Sequence, residues 1–159
     1  MRVDLLLLVG SLVVACASTT PPPSGPLGPA DLEIAGLTQG ASEQQVREAL
    51  GSPGKVHLLR DPDYSFPIIE WHYRHLVVHF GEGAKVDYFS LEDPALSTAR
   101  GVRVGDAISD VLARYPDPSY QDASTCVFLA ENVEDLLGIQ LYLKDGRVER
   151  IHVGQVAEY

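Results

Sequence analysis

The sequence is poor in basic residues. Its 159 residues include 12 lysines and arginines against 22 aspartates and glutamates, which gives a formal net charge of -10. Proteins that bind nucleic acid gain much of their affinity from lysine and arginine contacts with phosphates. The charge balance therefore argues against a nucleic-acid partner.

Cysteine is also scarce, with only Cys16 and Cys126 in the chain. If Cys16 is modified, Cys126 has no partner for an intrachain disulfide, so the fold must depend on its core. Cys126 lies in the apolar run 125–129. A buried structural cysteine is expected there; the alternative, a reactive thiol, lacks a setting that would lower its pKa.

No apolar run is long enough for a typical membrane helix, which needs about 20 residues. The run 5–14 follows a short charged start and precedes small residues, as in a secretory signal. Val13-Val14-Ala15-Cys16 resembles the bacterial lipobox. That resemblance implies a signal peptide over 1–15, cleavage before Cys16 and acylation of Cys16. The alternative is an A-x-A cleavage site at 15–17, which would release a secreted chain that starts at Ser18.

Recognised catalytic motifs are missing as well. The sequence has no G-x-S-x-G nucleophile motif and no glycine-rich phosphate loop. Its five histidines have no recognised metal-ligand spacing, although His75 and His79 would share a face of an unbroken strand. We interpret the histidines as scattered strand residues and Glu70 as an outward-facing strand residue. The prediction is a protein that is not an enzyme and has no cofactor and no metal.

What the sequence does contain is a duplication. The stretch 36–53 has a second copy at 101–118, with matching glycines, apolar positions and a closing proline. Ser42 and Gln45 form a capping box that predicts a helix ending near Leu50, and Asp106 is the predicted cap of a second helix. Alternating apolar segments predict strands after each helix, with the final hairpin turning at Asp145-Gly146. These strand segments are 56–59, 68–73, 76–80, 85–89, 125–130, 138–144 and 147–153.

The first copy resembles the SmpA/OmlA family of small outer-membrane lipoproteins, typified by the E component of the β-barrel assembly machinery. The matching residues are G-A-S-x-x-Q-V-x-x-A-L-G-x-P at 40–53, W-x-Y at 71–73, L-x-V-x-F at 76–80 and G-x-K-V at 83–86. The resemblance covers roughly 33–91 and, more faintly, 97–154. It implies short helices followed by a three-stranded antiparallel sheet.

Two copies in one chain are similar to the tandem arrangement of the β-lactamase inhibitor proteins, which bind an enzyme through joined sheets. The expected fold is α+β: two tandem small units, each with short helices packed on a three- to four-stranded antiparallel sheet. The expected boundaries are a signal peptide at 1–15, lipidated Cys16 with a Pro/Gly/Ser-rich tether to 30, a first unit at 31–95 and a second at 96–159.

The expected function is a non-enzymatic envelope lipoprotein that binds a protein or supports assembly at the outer membrane, on its periplasmic face. The alternative is an inhibitor of an envelope hydrolase. Aromatic residues in an exposed loop and an acidic region supply the candidate partner-binding residues. The alternative interpretation of the acidic region, a solvated face that aids solubility, is the favoured one. The candidate partner-binding residues are Tyr64, Phe66, Asp122, Glu131, Glu134 and Asp135.

Overall fold

The structure, a computed structural model, describes residues 25–60, 65–130 and 136–156. It contains two α-helices, α1 (Glu43–Leu50) and α2 (Ile108–Arg114), and short 3-10 segments at Pro29–Leu32 and Glu82–Ala84. The strands are β1 (Lys55–Leu59), β2 (Ile68–His72), β3 (Leu76–Phe80), β4 (Val86–Leu91), β5 (Tyr120–Gln121), β6 (Thr125–Leu129), β7 (Leu137–Lys144) and β8 (Arg147–Gln155).

Helix α1 begins and ends where the sequence predicts. The backbone N–H of Ser42 donates to Gln45 Oε1 at 2.9 Å, and the backbone N–H of Gln45 donates to Ser42 Oγ at 3.3 Å, which confirms the capping box. Gly51 ends the helix with a positive φ of 78°, which a residue with a side chain rarely adopts. The helix buries Val46 completely, and its Arg47 guanidinium lies 4.2 Å above the Trp71 ring.

The predicted Asp106 cap of the second helix is wrong. The residue before Ile108 is Ala107, and it provides no side-chain cap. Asp106 lies one residue further upstream, where its carboxylate accepts a hydrogen bond from the Arg103 N–H at 3.0 Å and pairs with Arg114 at 3.2 Å. The carboxylate therefore closes the turn that precedes the helix and does not reach the helix amides.

The eight strands form one antiparallel sheet with the order β1-β2-β3-β4-β8-β7-β6-β5. The predicted fold class, two tandem units that each carry their own small sheet, is therefore wrong. The reason is the pairing of β4 with β8, which runs from Tyr88 opposite Gly154 to Leu91 opposite Ile151. Because these strands share a ladder of backbone hydrogen bonds, the two sets of four strands become a single sheet.

The duplicated glycines occupy equivalent places at the centre of this arrangement. The Gly40 N–H donates to the Val86 carbonyl, and the Gly105 N–H donates to the Val148 carbonyl, both at 2.7 Å. Each hydrogen bond ties the lead-in to a helix to the strand nearest the middle of the sheet. The two copies of the motif thus make the same contact on β4 and on β8.

Every predicted strand segment matches an observed strand to within two residues at each end, and the largest extensions are at the ends of β4 (Leu91) and β8 (Gln155). Strand β5 lies outside the predicted segments, because its two residues give no alternating pattern. The predicted hairpin at Asp145-Gly146 is confirmed: both residues have positive φ, 52° and 71°, as a tight two-residue turn requires.

One hydrophobic core lies between the helices and the sheet. It contains Trp71 and Phe80 from the first four strands, Phe128 from β6, and Tyr115 from the end of α2. Cys126 is fully buried in this core, as predicted, and burial raises the pKa of its thiol to about 11. The thiolate required of a reactive cysteine is therefore disfavoured.

A buried ion pair holds the start of the described chain on the second half of the fold. Arg100 and Asp31 form two hydrogen bonds of 2.8 Å, and the Arg100 guanidinium also donates to the Gly25 and Pro26 carbonyls. Burial raises the pKa of Asp31, but the hydrogen bonds from Arg100 and from the Gly28 N–H, together with the positive charge of Arg100, outweigh it, so the net shift is downward. Residues 25–30, the last part of the predicted tether, thus run against the folded body, where Leu27 is buried.

Within the described residues, neither helix combines the length and the apolar content that crossing a membrane requires. The predicted signal peptide lies outside the described residues, and the predicted domain boundaries stay predictions.

Candidate functional site

The site is the face of the sheet that the helices leave open. Side chains alternate along each strand, so the neighbours of the buried residues Trp71, Val78, Phe89 and Val153 point to the opposite face. Cross-strand pairing places these neighbours in two rows. The first row is His57, Glu70, His79, Tyr88, Gly154, Gly138 and Leu129, and the second is His72, Val77, Ser90, His152, Gln140, Val127 and Tyr120.

Glu70 lies at the centre of three histidines. Its Oε2 is 3.1 Å from His72 Nε2 and 3.6 Å from His57 Nδ1, and its Oε1 is 3.4 Å from His79 Nδ1. The carboxylate side chain is only 17% exposed, whereas the His57 and His72 side chains are about one-third exposed. The cluster is thus buried on the His79 side and open to solvent on the His57 and His72 side.

An aromatic stack continues from this cluster across the middle of the sheet. His79 stacks on Tyr88 at 4.0 Å between ring centroids, Tyr88 stacks on His152 at 4.6 Å, and Tyr142 meets His152 edge-on at 4.8 Å. The Arg150 guanidinium lies 4.1 Å above the Tyr142 ring. The stack spans β3, β4, β8 and β7. It therefore crosses the pairing of β4 with β8, where the two halves of the sheet, β1–β4 and β5–β8, meet.

Burial keeps three rings of this surface uncharged at pH 7. Burial lowers the pKa of His79 to about 4 against the opposing effect of Glu70, and burial together with Arg150 lowers the pKa of His152 to about 3. Burial also raises the pKa of Tyr88 to about 12. These rings therefore carry no charge at pH 7.

Three buried polar atoms beside His152 have no hydrogen-bond partner in the described part of the chain. They are Ser90 Oγ, Gln140 Oε1 and Arg150 Nε. Ser90 and Gln140 lie directly opposite His152 on β4 and β7. A buried polar atom without a hydrogen-bond partner costs free energy. A bound molecule that hydrogen-bonds to these three atoms would remove that cost.

Strand β1 is the edge of the sheet next to the histidine cluster. It pairs only with β2 among the described strands. Three of its apolar side chains are exposed, Val56 at 53%, Leu58 at 59% and Leu59 at 44%. An edge strand of this kind presents free backbone groups beside apolar side chains.

The structure places two of the predicted partner-binding residues. Phe66 is half-buried two residues before β2. Asp122 is exposed, but its carboxylate is used locally: it accepts hydrogen bonds from the Ser124 and Thr125 amides, both at 2.7 Å, and from the Tyr120 hydroxyl at 2.9 Å. The other predicted residues, Cys16, Tyr64, Glu131, Glu134 and Asp135, lie outside the described residues.

The sequence interpretation missed the clustering of the histidines. Four of the five, all except His75, lie on the open face, and Glu70 contacts three of them instead of pointing singly to solvent. His75 lies in the turn between β2 and β3 and pairs with Asp93 at 3.1 Å. The signal was present as Glu70 and His72 two residues apart on one strand, but the strand register that adds His57 and His79 is not visible in a sequence.

Comparisons with known proteins do not show a family. No family model matches the chain, and no curated protein matches it. Among solved structures, the chain is similar to the 1.5 Å crystal structure of an extracellular protein containing a SCP domain from Bacillus anthracis, at 13% sequence identity and a TM-score of 0.49. The similarity covers 73% of this chain and 43% of that chain.

Proposed function

We propose that the chain is a non-enzymatic lipoprotein of the bacterial cell envelope that binds another protein through the β1 edge of its sheet. The supporting observation is the exposure of Val56, Leu58 and Leu59 on an edge strand that has no second neighbour among the described strands. Natural edge strands are usually protected by charges, prolines or covering segments. An edge strand that keeps three apolar side chains exposed is suited to binding another protein.

The occupant that fits this edge is an extended segment of the partner polypeptide. A strand added beside β1 would satisfy its outward backbone groups, which gives affinity without a deep pocket. The alternation of side chains then provides selectivity, because Val56 and Leu58 point to the helix side of the sheet while Leu59 points to the open face. We therefore expect a partner segment with apolar residues on both of its faces.

The envelope location depends on the lipobox-like sequence that ends at Cys16. An acylated Cys16 would attach the chain to the membrane, and the outer membrane, on the periplasmic face, is the proposed site. Intact-mass spectrometry of the mature protein tests this directly. A mass that corresponds to an acylated chain starting at Cys16 supports the anchor, and an unmodified chain starting at Ser18 contradicts it.

Partner binding is tested by comparing two single substitutions. Leu58→Lys places a charge on the β1 edge, and Leu136→Lys places the same charge at a site that is 41% exposed, next to β7. Each variant and the unchanged protein are cross-linked in intact cells and purified from solubilised envelopes. We expect the unchanged chain and Leu136→Lys to recover the same protein partner in similar amounts. Leu58→Lys should recover at least tenfold less of it. Equal recovery by all three would contradict binding through β1.

A second proposal is that the bound protein is an envelope hydrolase that this chain inhibits. The observation that favours it is the position of Phe66, which precedes the pair Ile68 and Leu59 at one end of the β1–β2 hairpin. An aromatic side chain at the end of a hairpin is suited to enter a cleft. Purified protein and its Phe66→Ala variant would be assayed against envelope hydrolases. Inhibition that falls with Phe66→Ala supports this proposal, and no inhibition of any hydrolase contradicts it.

A further inference from the structure

We propose that His57, Glu70 and His72 form a binding site for a divalent transition metal ion of the zinc class. The three potential ligand atoms, one from each residue, all lie within 4.8 Å of one another. Two imidazoles and a carboxylate are a ligand set that zinc accepts in proteins. The proposal concerns the histidine cluster alone and does not depend on the partner-binding function.

The distances are close to those a metal site needs. With zinc bonds of about 2.0–2.1 Å and tetrahedral geometry, neighbouring ligand atoms are about 3.4 Å apart. Glu70 Oε2 is 3.1 Å from His72 Nε2 and 3.6 Å from His57 Nδ1, on either side of this value. The ligand nitrogens of His57 and His72 lie within 4.8 Å of each other, and rotation of these partly exposed rings adjusts that separation.

The sheet fixes the ligands at their positions. His57 lies directly opposite Glu70 in the pairing of β1 with β2, and His72 follows Glu70 by two residues on the same face. The rings of His57 and His72 are 4.5 Å apart between centroids and inclined by 54°, so they approach each other without stacking flat. The ligand geometry is therefore set by the register of a hairpin and not by a loop.

His79 contacts the Glu70 carboxylate through the oxygen that the two proposed histidine ligands do not contact. Its Nδ1 is 3.4 Å from Glu70 Oε1, the oxygen that does not face His57 and His72. A contact of this kind orients a ligating carboxylate, and its loss in other metal sites typically weakens binding roughly 10–100-fold. We therefore assign His79 as a positioning residue, which leaves a fourth coordination place on the exposed side for water or an external ligand.

The alternative is that Glu70 only forms ion pairs with its histidine neighbours. Zinc binding by the purified full chain, without an affinity tag, separates the two readings. Equilibrium dialysis gives the stoichiometry, and the visible absorption of bound Co²⁺ reports tetrahedral coordination by nitrogen and oxygen. We expect one metal ion per chain and a rise in melting temperature on addition of Zn²⁺, because the ion binds the folded state.

Substitutions locate the ion. His72→Gln and Glu70→Gln should each weaken Zn²⁺ binding more than His79→Gln does. The first two variants should also abolish the zinc-dependent rise in melting temperature. His75→Gln is the matched control, because the His75 side chain is 32% exposed, as that of His72 is, but lies outside the cluster. Circular dichroism without metal establishes whether each variant is folded. If a histidine variant does not fold, Glu70→Gln still tests the site, because glutamine preserves the shape of the glutamate side chain.

Two results would overturn the proposal. One is the absence of stoichiometric Zn²⁺ binding by the unchanged chain. The other is an equal loss of binding in His72→Gln and His75→Gln, which would indicate weak association with surface imidazoles in general.

Discussion

At the scale of the residue, His152 is the most instructive side chain on the open face. It lies between Tyr88 on β4 and Tyr142 on β7, with His79 on β3 and Arg150 on its own strand as its other titratable neighbours. Burial, Arg150 and His79 all oppose protonation of its ring. The folded protein is therefore more stable with this ring neutral.

This arrangement predicts a loss of stability in acid. The pKa of His152 falls from 6.5 to about 3 on folding. Between these values the unfolded chain binds a proton that the folded chain does not, so the free energy of unfolding decreases as the pH falls from 6.5 toward 3. Each unit of pKa difference corresponds to about 1.4 kcal/mol, so the total reaches a few kcal/mol.

Urea unfolding of the unchanged protein and of His152→Gln from pH 7 to pH 4 measures this effect. We expect the free energy of unfolding to fall less steeply with decreasing pH in His152→Gln, while His75→Gln keeps the steep dependence. Parallel curves for the unchanged protein and His152→Gln would show that this ring does not oppose protonation.

At the scale of the element, the pairing of β4 with β8 decides the architecture. Gly154 makes this pairing possible, because a Cβ atom there would lie 2.5 Å from the Asp87 carbonyl oxygen and 2.8 Å from Tyr88 Cα. Both are backbone atoms and cannot rotate away, and Gly154 has a φ of 129°, which side chains disfavour. The two strands can approach only because this position has no side chain.

Gly154→Ala should therefore destabilise the protein by at least the roughly 1–3 kcal/mol that overpacking costs. Gly54→Ala is the control, since a Cβ there meets only the His72 carbonyl at an ordinary 3.6 Å. We expect this change to stay within about 0.5 kcal/mol. Thermal unfolding followed by circular dichroism compares the two, and equal stability of the two variants would contradict the assigned role of Gly154.

The elements themselves were accessible from the sequence, because their signals are local. The capping box at Ser42, the glycine at 51 and the Asp145-Gly146 turn each depend on neighbours a few residues away. The junction at Gly154 is a contact with a strand more than sixty residues earlier. The same applies to Glu70, whose histidine neighbours are defined by register and not by spacing. Fold class and site were missed for this one reason.

At the scale of the whole molecule, the described residues share one sheet and one core, which implies that they form one folding unit. Trp71 from β2 and Phe128 from β6 belong to the same buried cluster, and the Arg100–Asp31 pair joins residues 69 positions apart. Contacts that cross the middle of the molecule make partial unfolding of either half costly.

We therefore predict a single cooperative unfolding transition. Tryptophan fluorescence reports on the half that contains Trp71, the one tryptophan in the chain, while circular dichroism reports on all strands. The two signals should give the same midpoint and the same slope in guanidinium chloride. A fluorescence transition at a clearly different denaturant concentration would mean that the two halves unfold separately.

Partner binding through β1 is the central functional claim, and site-specific photo-crosslinking in living cells tests it most directly. A photoreactive amino acid replaces Leu58 in one variant and Leu136 in a second, both exposed apolar positions. The proposal predicts a cross-linked product of defined mass from position 58 and none of that mass from position 136. No product at position 58, or the same product from both positions, would contradict it.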